Sequence, residues 1–163
     1  MTTPTGYSRT QIALHWGVAG LVAAQYLFKD SIAAAWEAYV QGREAVFDPL
    51  IFAHVAGGTL ILALVVWRLV LRARRGVPPP PENEPAALKT LAKAAHLGFY
   101  AVLIGMSLSG ALAWFAGVEP AAGLHNLLKV ALLALIVLHV LAVAAHQRVF
   151  KTAIMRRMIR AQP

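Results

Sequence analysis

Residues 124–149 read LHNLLKVALLALIVLHVLAVAAHQRV. Lys129 is the one lysine, arginine or acid before Arg148, and leucine, valine, isoleucine and alanine fill most other positions. A run of this length and composition matches the roughly 20 residues that a helix needs to cross the hydrocarbon core of a bilayer. Histidines interrupt it at 125, 139 and 146. His125 and His139 are 14 residues apart, almost four helical turns, so they share a face and lie about 21 Å apart along the axis. One is expected near each membrane surface.

Three further apolar runs precede this one. The first extends from about Ile12 to Phe28, closed by Lys29 and Asp30. The second runs from about Leu50 to Leu71, opens at Pro49, where proline suits a helix start, and ends among Arg68, Arg72, Arg74 and Arg75. The third begins near Pro85 or Ala86, carries Lys89 and Lys93 in its first turns, and reaches about Phe115. Between the first two lies a polar interval, Lys29 to Asp48, with room for a short interfacial helix. Gly76 to Pro85, with prolines at 78–81, predicts an extended linker. Ala116 to Gly123, with Gly117, Pro120 and Gly123, predicts a tight turn. The expectation is an all-α, integral membrane four-helix bundle in one domain over residues 1–163, with helices at about 12–28, 50–71, 86–115 and 124–149.

Composition agrees. The 163 residues are 59% hydrophobic and 13% charged, far from ordinary soluble domains, and four spans with short loops leave no room for a soluble catalytic domain. Absence of cysteine removes disulfides, thioether haem attachment, iron–sulfur clusters and thiolate zinc sites. Any metal must be held by histidine or oxygen. Met1 to Arg9 is polar and runs into His15 and Trp16 with no small-residue cleavage site, so no cleaved signal peptide is expected.

The net charge of +8 does not point to nucleic acid, because the basic residues border apolar runs, as the positive-inside rule produces. Arg9, Arg68, Arg72, Arg74, Arg75, Lys89, Lys93, Arg148, Lys151, Arg156, Arg157 and Arg160 fall on one side of the expected topology, against Lys29, Arg43 and Lys129 on the other. Both termini are therefore expected in the cytoplasm. The opposite face carries Asp30, Glu37, Glu44, Asp48 and Glu119 and is acidic.

All six histidines fall inside or at the ends of the expected spans, where an ionisable group is expensive without a partner or a role. Any one of them could be an interhelical hydrogen-bonding residue; their depths suggest more. His54 is a few residues into the second span, at the depth of His125, and His15 is near the start of the first, at the depth of His139. Two pairs at two depths result. Neutral imidazole binds iron well, and two axial histidines saturate a haem, which suits electron transfer.

Other residues fit around these pairs. Gly57 and Gly58, three and four positions after His54, share its face and would let a flat macrocycle approach, although helix packing explains them equally well. Arg9 and Arg68 sit where haem propionates would need cations; snorkelling is the rival explanation for Arg68. Lys129, one turn beyond His125, needs an anion or water, and a propionate of the outer haem would serve. His96 and His146 remain. Either can replace an assigned ligand, and His146, at the cytoplasmic end, also suits a hydrogen-bond or proton partner for a quinone head group.

The fragments Tyr7-Ser8-Arg9 with Leu14-His15-Trp16, His54-Val55-Ala56-Gly57 with Trp67-Arg68-Leu69, His96-Leu97-Gly98-Phe99-Tyr100, Leu138-His139-Val140 with Ala145-His146, and Arg156-Arg157-Met158 resemble the bacterial cytochrome b561 family. That family is related to the cytochrome b subunits of nickel–iron hydrogenases, and the likeness covers nearly the whole chain. The resemblance implies two haem b groups and electron exchange with ubiquinone in the bacterial inner membrane. It implies His15 and His139 as inner-haem ligands, His54 and His125 as outer-haem ligands, and His146 beside ubiquinone. Some members are superoxide oxidases, which makes a superoxide:ubiquinone oxidoreductase the expected enzyme activity, with Lys129 as a superoxide or propionate contact. Two features depart from that expectation: the link between the last two spans is very short, and the outer loops are acidic where a superoxide collector should be positive.

Two other readings compete. One is a haem-bearing membrane anchor passing electrons between quinone and a periplasmic redox partner, for which acidic outer loops would suit a basic protein. The other is a proton or metal transporter using the histidines as a relay; it predicts a colourless protein.

Overall fold

The computed structural model describes residues 6–44, 48–81, 84–149, 151–152 and 154–161. The described residues form six helices: α1 (Arg9–Leu27), α2 (Lys29–Val40), α3 (Pro49–Arg75), α4 (Ala86–Ala116), α5 (Glu119–Arg148) and α6 (Ile154–Arg157). Local chemistry sets most of the boundaries. Ser8 and Gln11 make a reciprocal capping box at the start of α1, with Gln11 N–H donating to Ser8 Oγ at 3.2 Å and Ser8 N–H to Gln11 Oε1 at 3.0 Å. Asp48 Oδ1 accepts from Leu50 N–H at 2.8 Å at the start of α3, with Pro49 in the first turn. Gly117 ends α4 in the left-handed region, φ 65° and ψ 24°, and a side chain there would run into the Tyr39 hydroxyl.

Three sequence expectations are corrected. The first helix begins at Arg9 and not near Ile12, because the capping box lies upstream of the apolar run. The turn expected over 116–123 shrinks to Gly117 and Val118. Pro120 occupies the first turn of α5, where its missing N–H costs nothing, and Gly123 is inside that helix. The last helix thus starts at Glu119, and His125 is nearly two turns in. The interval after the first span does hold a short helix, α2. Gly76 to Pro81 has no regular structure, as the prolines require; the expected extended linker also includes residues 82–83, which lie outside the described residues.

Among the described residues, α3, α4 and α5 are long and apolar enough to cross a membrane. The outward face of α5 carries Leu127, Val130, Leu138 and Leu141, each at least 60% exposed, a surface suited to lipid and not to water. α1, with 19 residues, is not among the three.

α3 packs against both α1 and α4, and α4 runs along α5; α2 lies on α3, and α6 rests at the end of α5. Backbone packing of α5 against α1 and α3 is slight. Side chains cross that space instead: the Tyr26 hydroxyl donates to the Lys129 carbonyl at 2.6 Å. The core is an apolar layer of Val18, Val22, Ile61, Val65 and Leu132, flanked by Phe99, Tyr100, Leu103 and Ile136.

At one end, three hydrogen bonds gather the N-terminal segment, the proline linker and the tail. Gln11 Nε2 donates to Gly76 O at 3.2 Å, Trp16 Nε1 to Met158 O at 2.8 Å, and Arg157 to Pro79 O at 2.8 Å. The described ends of the chain therefore share this end of the bundle.

Candidate functional site: two histidine clusters separated by an apolar layer

The spacing along each helix places imidazoles above and below the core. On α3, His54, Ile61, Val65 and Arg68 recur at helical intervals on one face, and on α5 so do His125, Leu132 and His139. Valine, isoleucine and leucine therefore fill the middle, and the rings gather towards the two ends.

In the first cluster the rings of His54 and His125 have centroids 6.4 Å apart. His125 Nδ1 donates to the Met106 carbonyl on α4 at 2.9 Å. This bond selects the tautomer with its lone pair on Nε2, the arrangement in which protein imidazoles bind metals. Gly110, one turn after Met106, makes the approach possible: a Cβ there would sit 3.0 Å from His125 Nδ1. His54 Nδ1 is buried with no hydrogen-bond partner among the described residues. An imidazole with an orphaned ring nitrogen beside a second imidazole is a fit for a group that bonds to nitrogen lone pairs. The His54 carbonyl accepts from Gln25 Nε2 on α1 at 2.9 Å, and Gly57 leaves room for that amide. A Cβ on Gly58 would meet nothing within 4 Å. Lys129 donates to Asn126 Oδ1 at 3.0 Å and has no carboxylate partner among the described residues.

The second cluster holds His15, His96 and His139. The His139 ring is 5.9 Å from His96 and 5.5 Å from Phe99, both on α4 and both edge-on. His96 Nδ1 lies 2.6 Å from the Ala92 carbonyl. His15 is within electrostatic reach of Arg68, His139 and His96 and stacks edge-on with Trp16. Arg68 also reaches Tyr7, beside Arg72 and Arg157. Burial pushes the Tyr7 phenol above its ordinary value, with the arginines pulling the other way. Arg9 is exposed at the first position of α1, with no hydrogen bond or ion pair among the described residues.

His146 stands apart, at the end of α5. Its Nε2 is 3.2 Å from Glu84 Oε1, its Nδ1 is 3.4 Å from Thr152 Oγ1, and its carbonyl accepts from that hydroxyl at 3.1 Å. Glu84, Gln25, Met106 and Gly110 had no sequence signal that singled them out. Each acts through a contact between segments distant in the chain.

Among the described residues, no three His, Asp or Glu side chains gather as they would to hold a bare metal ion. Paired imidazoles suit instead a metal whose other positions a macrocycle fills. Apolar helices with imidazoles gathered at two depths around an apolar middle have the architecture of a membrane haem protein. A family model for prokaryotic cytochrome b561 matches residues 6–161. Cytochrome b562 of Cereibacter sphaeroides is 33% identical over 164 residues, an alignment covering 98% of this chain and 99% of that protein. The chain belongs to the prokaryotic cytochrome b561 family. Membership implies haem b as cofactor and electron transfer in the membrane as activity.

Proposed function

We propose that this protein is a di-haem b cytochrome that carries electrons across the bacterial inner membrane to or from ubiquinone, with both termini in the cytoplasm. The observation that carries the reading is the His54–His125 pair at 6.4 Å, with a second imidazole cluster 14 residues further along α5. A macrocycle-bound iron would be held by one nitrogen from each of these rings. When bound, haem iron supplies a one-electron couple, alternating between ferrous and ferric.

The chain's own residues hold and insulate the two sites. His54 and His125 would hold the outer haem. Met106, through its carbonyl, fixes the His125 tautomer, and Gly58 offers open space on the face of His54. His15 and His139 are the ligands of the inner haem. His96, whose ring is 5.9 Å from that of His139, is carried on α4, which packs along α5. α5 makes few close backbone approaches to α1 or α3, the helices that carry the other member of each proposed pair. Arg68, beside His15, and Arg9 serve the inner propionates. The apolar layer keeps water from between the two sites.

Lys129, with no carboxylate partner among the described residues, offers a positive charge at the outer end, for a propionate or for superoxide. With it, the reaction would remove one electron from superoxide, releasing oxygen, and deliver it inward to quinone. The acidic residues Asp30, Glu37, Glu44, Asp48 and Glu119 favour a second reading, a basic periplasmic protein as donor.

Haem stoichiometry and reduced-minus-oxidised spectra test the reading. Two haems per chain are expected; His125→Ala should remove the outer haem alone and His15→Ala the inner one. Retention of both haems in either variant, or loss of the inner haem in His96→Ala but not His15→Ala, would overturn the corresponding assignment. Superoxide offered to the oxidised protein with ubiquinone present separates the donors: reduction supports superoxide, and unchanged haem spectra favour a protein partner.

A further inference from the structure

Glu84 is a buried acid that the account above leaves unused. Its carboxylate is 6% exposed and faces His146 Nε2 at 3.2 Å, the imidazole being 16% exposed. Prolines stand on both sides of it in the sequence. Pro78 to Pro81 precede it, its N–H donates to the Pro81 carbonyl at 3.1 Å, and Pro85 follows as the N-cap of α4. On the other side of the imidazole, Thr152 N–H donates to the His146 carbonyl at 2.9 Å and its hydroxyl approaches Nδ1.

The surroundings make this pairing pointed. Arg72, Arg74, Arg75, Lys89, Lys93, Arg148, Lys151, Arg156, Arg157 and Arg160 flank this end in sequence. Among the described residues, however, the Glu84 carboxylate pairs with no lysine or arginine, but with a titratable imidazole. A carboxylate locked to a guanidinium keeps one charge state. A carboxylate against an imidazole can share and pass a proton, because each group can both accept and release one.

We propose that Glu84 and His146 form a proton-transfer dyad, in which Glu84 takes protons from cytoplasmic water and loads them onto His146 for the quinone. The proposal rests on the quinone reading above. Each quinone leaving as quinol needs two electrons, supplied by two one-electron oxidations of haem iron, and two protons. For each proton, the Glu84 carboxyl gives H⁺ to His146 Nε2, the imidazole gives up the H⁺ on Nδ1 towards the quinone oxygen, water reprotonates Glu84, and a ring flip or tautomer shift returns the imidazole proton to the Nδ1 position before the next transfer. In quinol oxidation both transfers reverse.

The test uses the purified haem-loaded protein, chemically reduced and mixed with a short-chain ubiquinone, with haem oxidation followed by absorbance in H₂O and in D₂O. Glu84→Gln keeps an oxygen acceptor for His146 but cannot carry a proton. It should leave the haem spectra and the quinone concentration dependence unchanged, slow the saturating rate at least about tenfold, and enlarge the solvent isotope effect. Glu84→Asp should recover part of the rate. A Glu84→Gln rate within about twofold of native, with a native isotope effect, overturns the dyad. If Glu84→Gln fails to hold haem, Glu84→Asp decides alone: an intermediate rate with an enlarged isotope effect supports the proposal, and native values for both overturn it. Native protein whose haems quinone does not oxidise overturns the quinone reading and this inference together, whereas a reactive native protein with indifferent variants overturns the inference alone.

Discussion

Gly110→Ala is the most direct test of how the outer pair is held. An ideal Cβ at 110 lies 3.0 Å from His125 Nδ1 and 3.1 Å from its Cε1, against 3.4–4 Å for ordinary contact. The ring must retreat by about 0.4 Å, which stretches the 2.9 Å bond to the Met106 carbonyl towards about 3.3 Å, past the normal range. Two energies oppose each other. Alanine should gain about 1 kcal/mol of helix propensity over glycine, and overpacking should cost about 1–3 kcal/mol. Fold stability therefore falls by at most about 2 kcal/mol. The haem should feel more, because loss of a ligand's supporting hydrogen bond typically costs about 10–100-fold in metal affinity. Haem content measured during dilution or competition with a haem-binding protein should show the outer haem lost first, with the inner haem spectrum retained. Gly123→Ala on α5, where a Cβ meets nothing within 4 Å, is the control and should be neutral or slightly stabilising. Native outer-haem retention in Gly110→Ala would refute the account of His125.

Further outcomes follow from the ends of the bundle. Ser8→Ala removes one half of the capping box of α1 and should cost about 1 kcal/mol, read as a lower unfolding midpoint in detergent; an unchanged midpoint would mean that tertiary contacts alone define that terminus. Tyr7 has a folded-state value raised by burial, so its contribution to stability is present below the ordinary phenol value and lost as pH rises through the folded one. Tyrosinate absorbance of native protein minus Tyr7→Phe should thus show one phenol ionising later than a free tyrosine. For Asp48 the sign is opposite: the Leu50 N–H holds its carboxyl below the usual range, so the cap is intact above the ordinary carboxylate value and fails as pH falls through the folded one, a loss that Asp48→Asn should blunt. Trp16→Phe deletes the donor to Met158 O and should make the tail beyond α5 more sensitive to protease, with haem spectra unchanged.

The sequence alone determined the helical architecture and the family. Twenty apolar residues in a row have few solutions other than a helix in lipid, and the run at 124–149, the arginines at 68–75 and the prolines at 78–81 mark a span, its end and a linker without reference to any neighbour. The spacing of the histidines along each helix was equally legible, because rise per residue is fixed by backbone geometry, and the rings of His54 and His125, expected at one depth, lie 6.4 Å apart. Only the tertiary structure decided which groups stand around each ring. The Met106 carbonyl on His125, the space kept by Gly110, the Gln25 bridge to the His54 carbonyl and the Glu84 carboxylate on His146 join residues from different helices or loops, and periodicity along one helix carries no information about the azimuth of the next. The same limit left His96 unplaced: its depth alone could not tell that it lies on the helix packed along α5, beside His139.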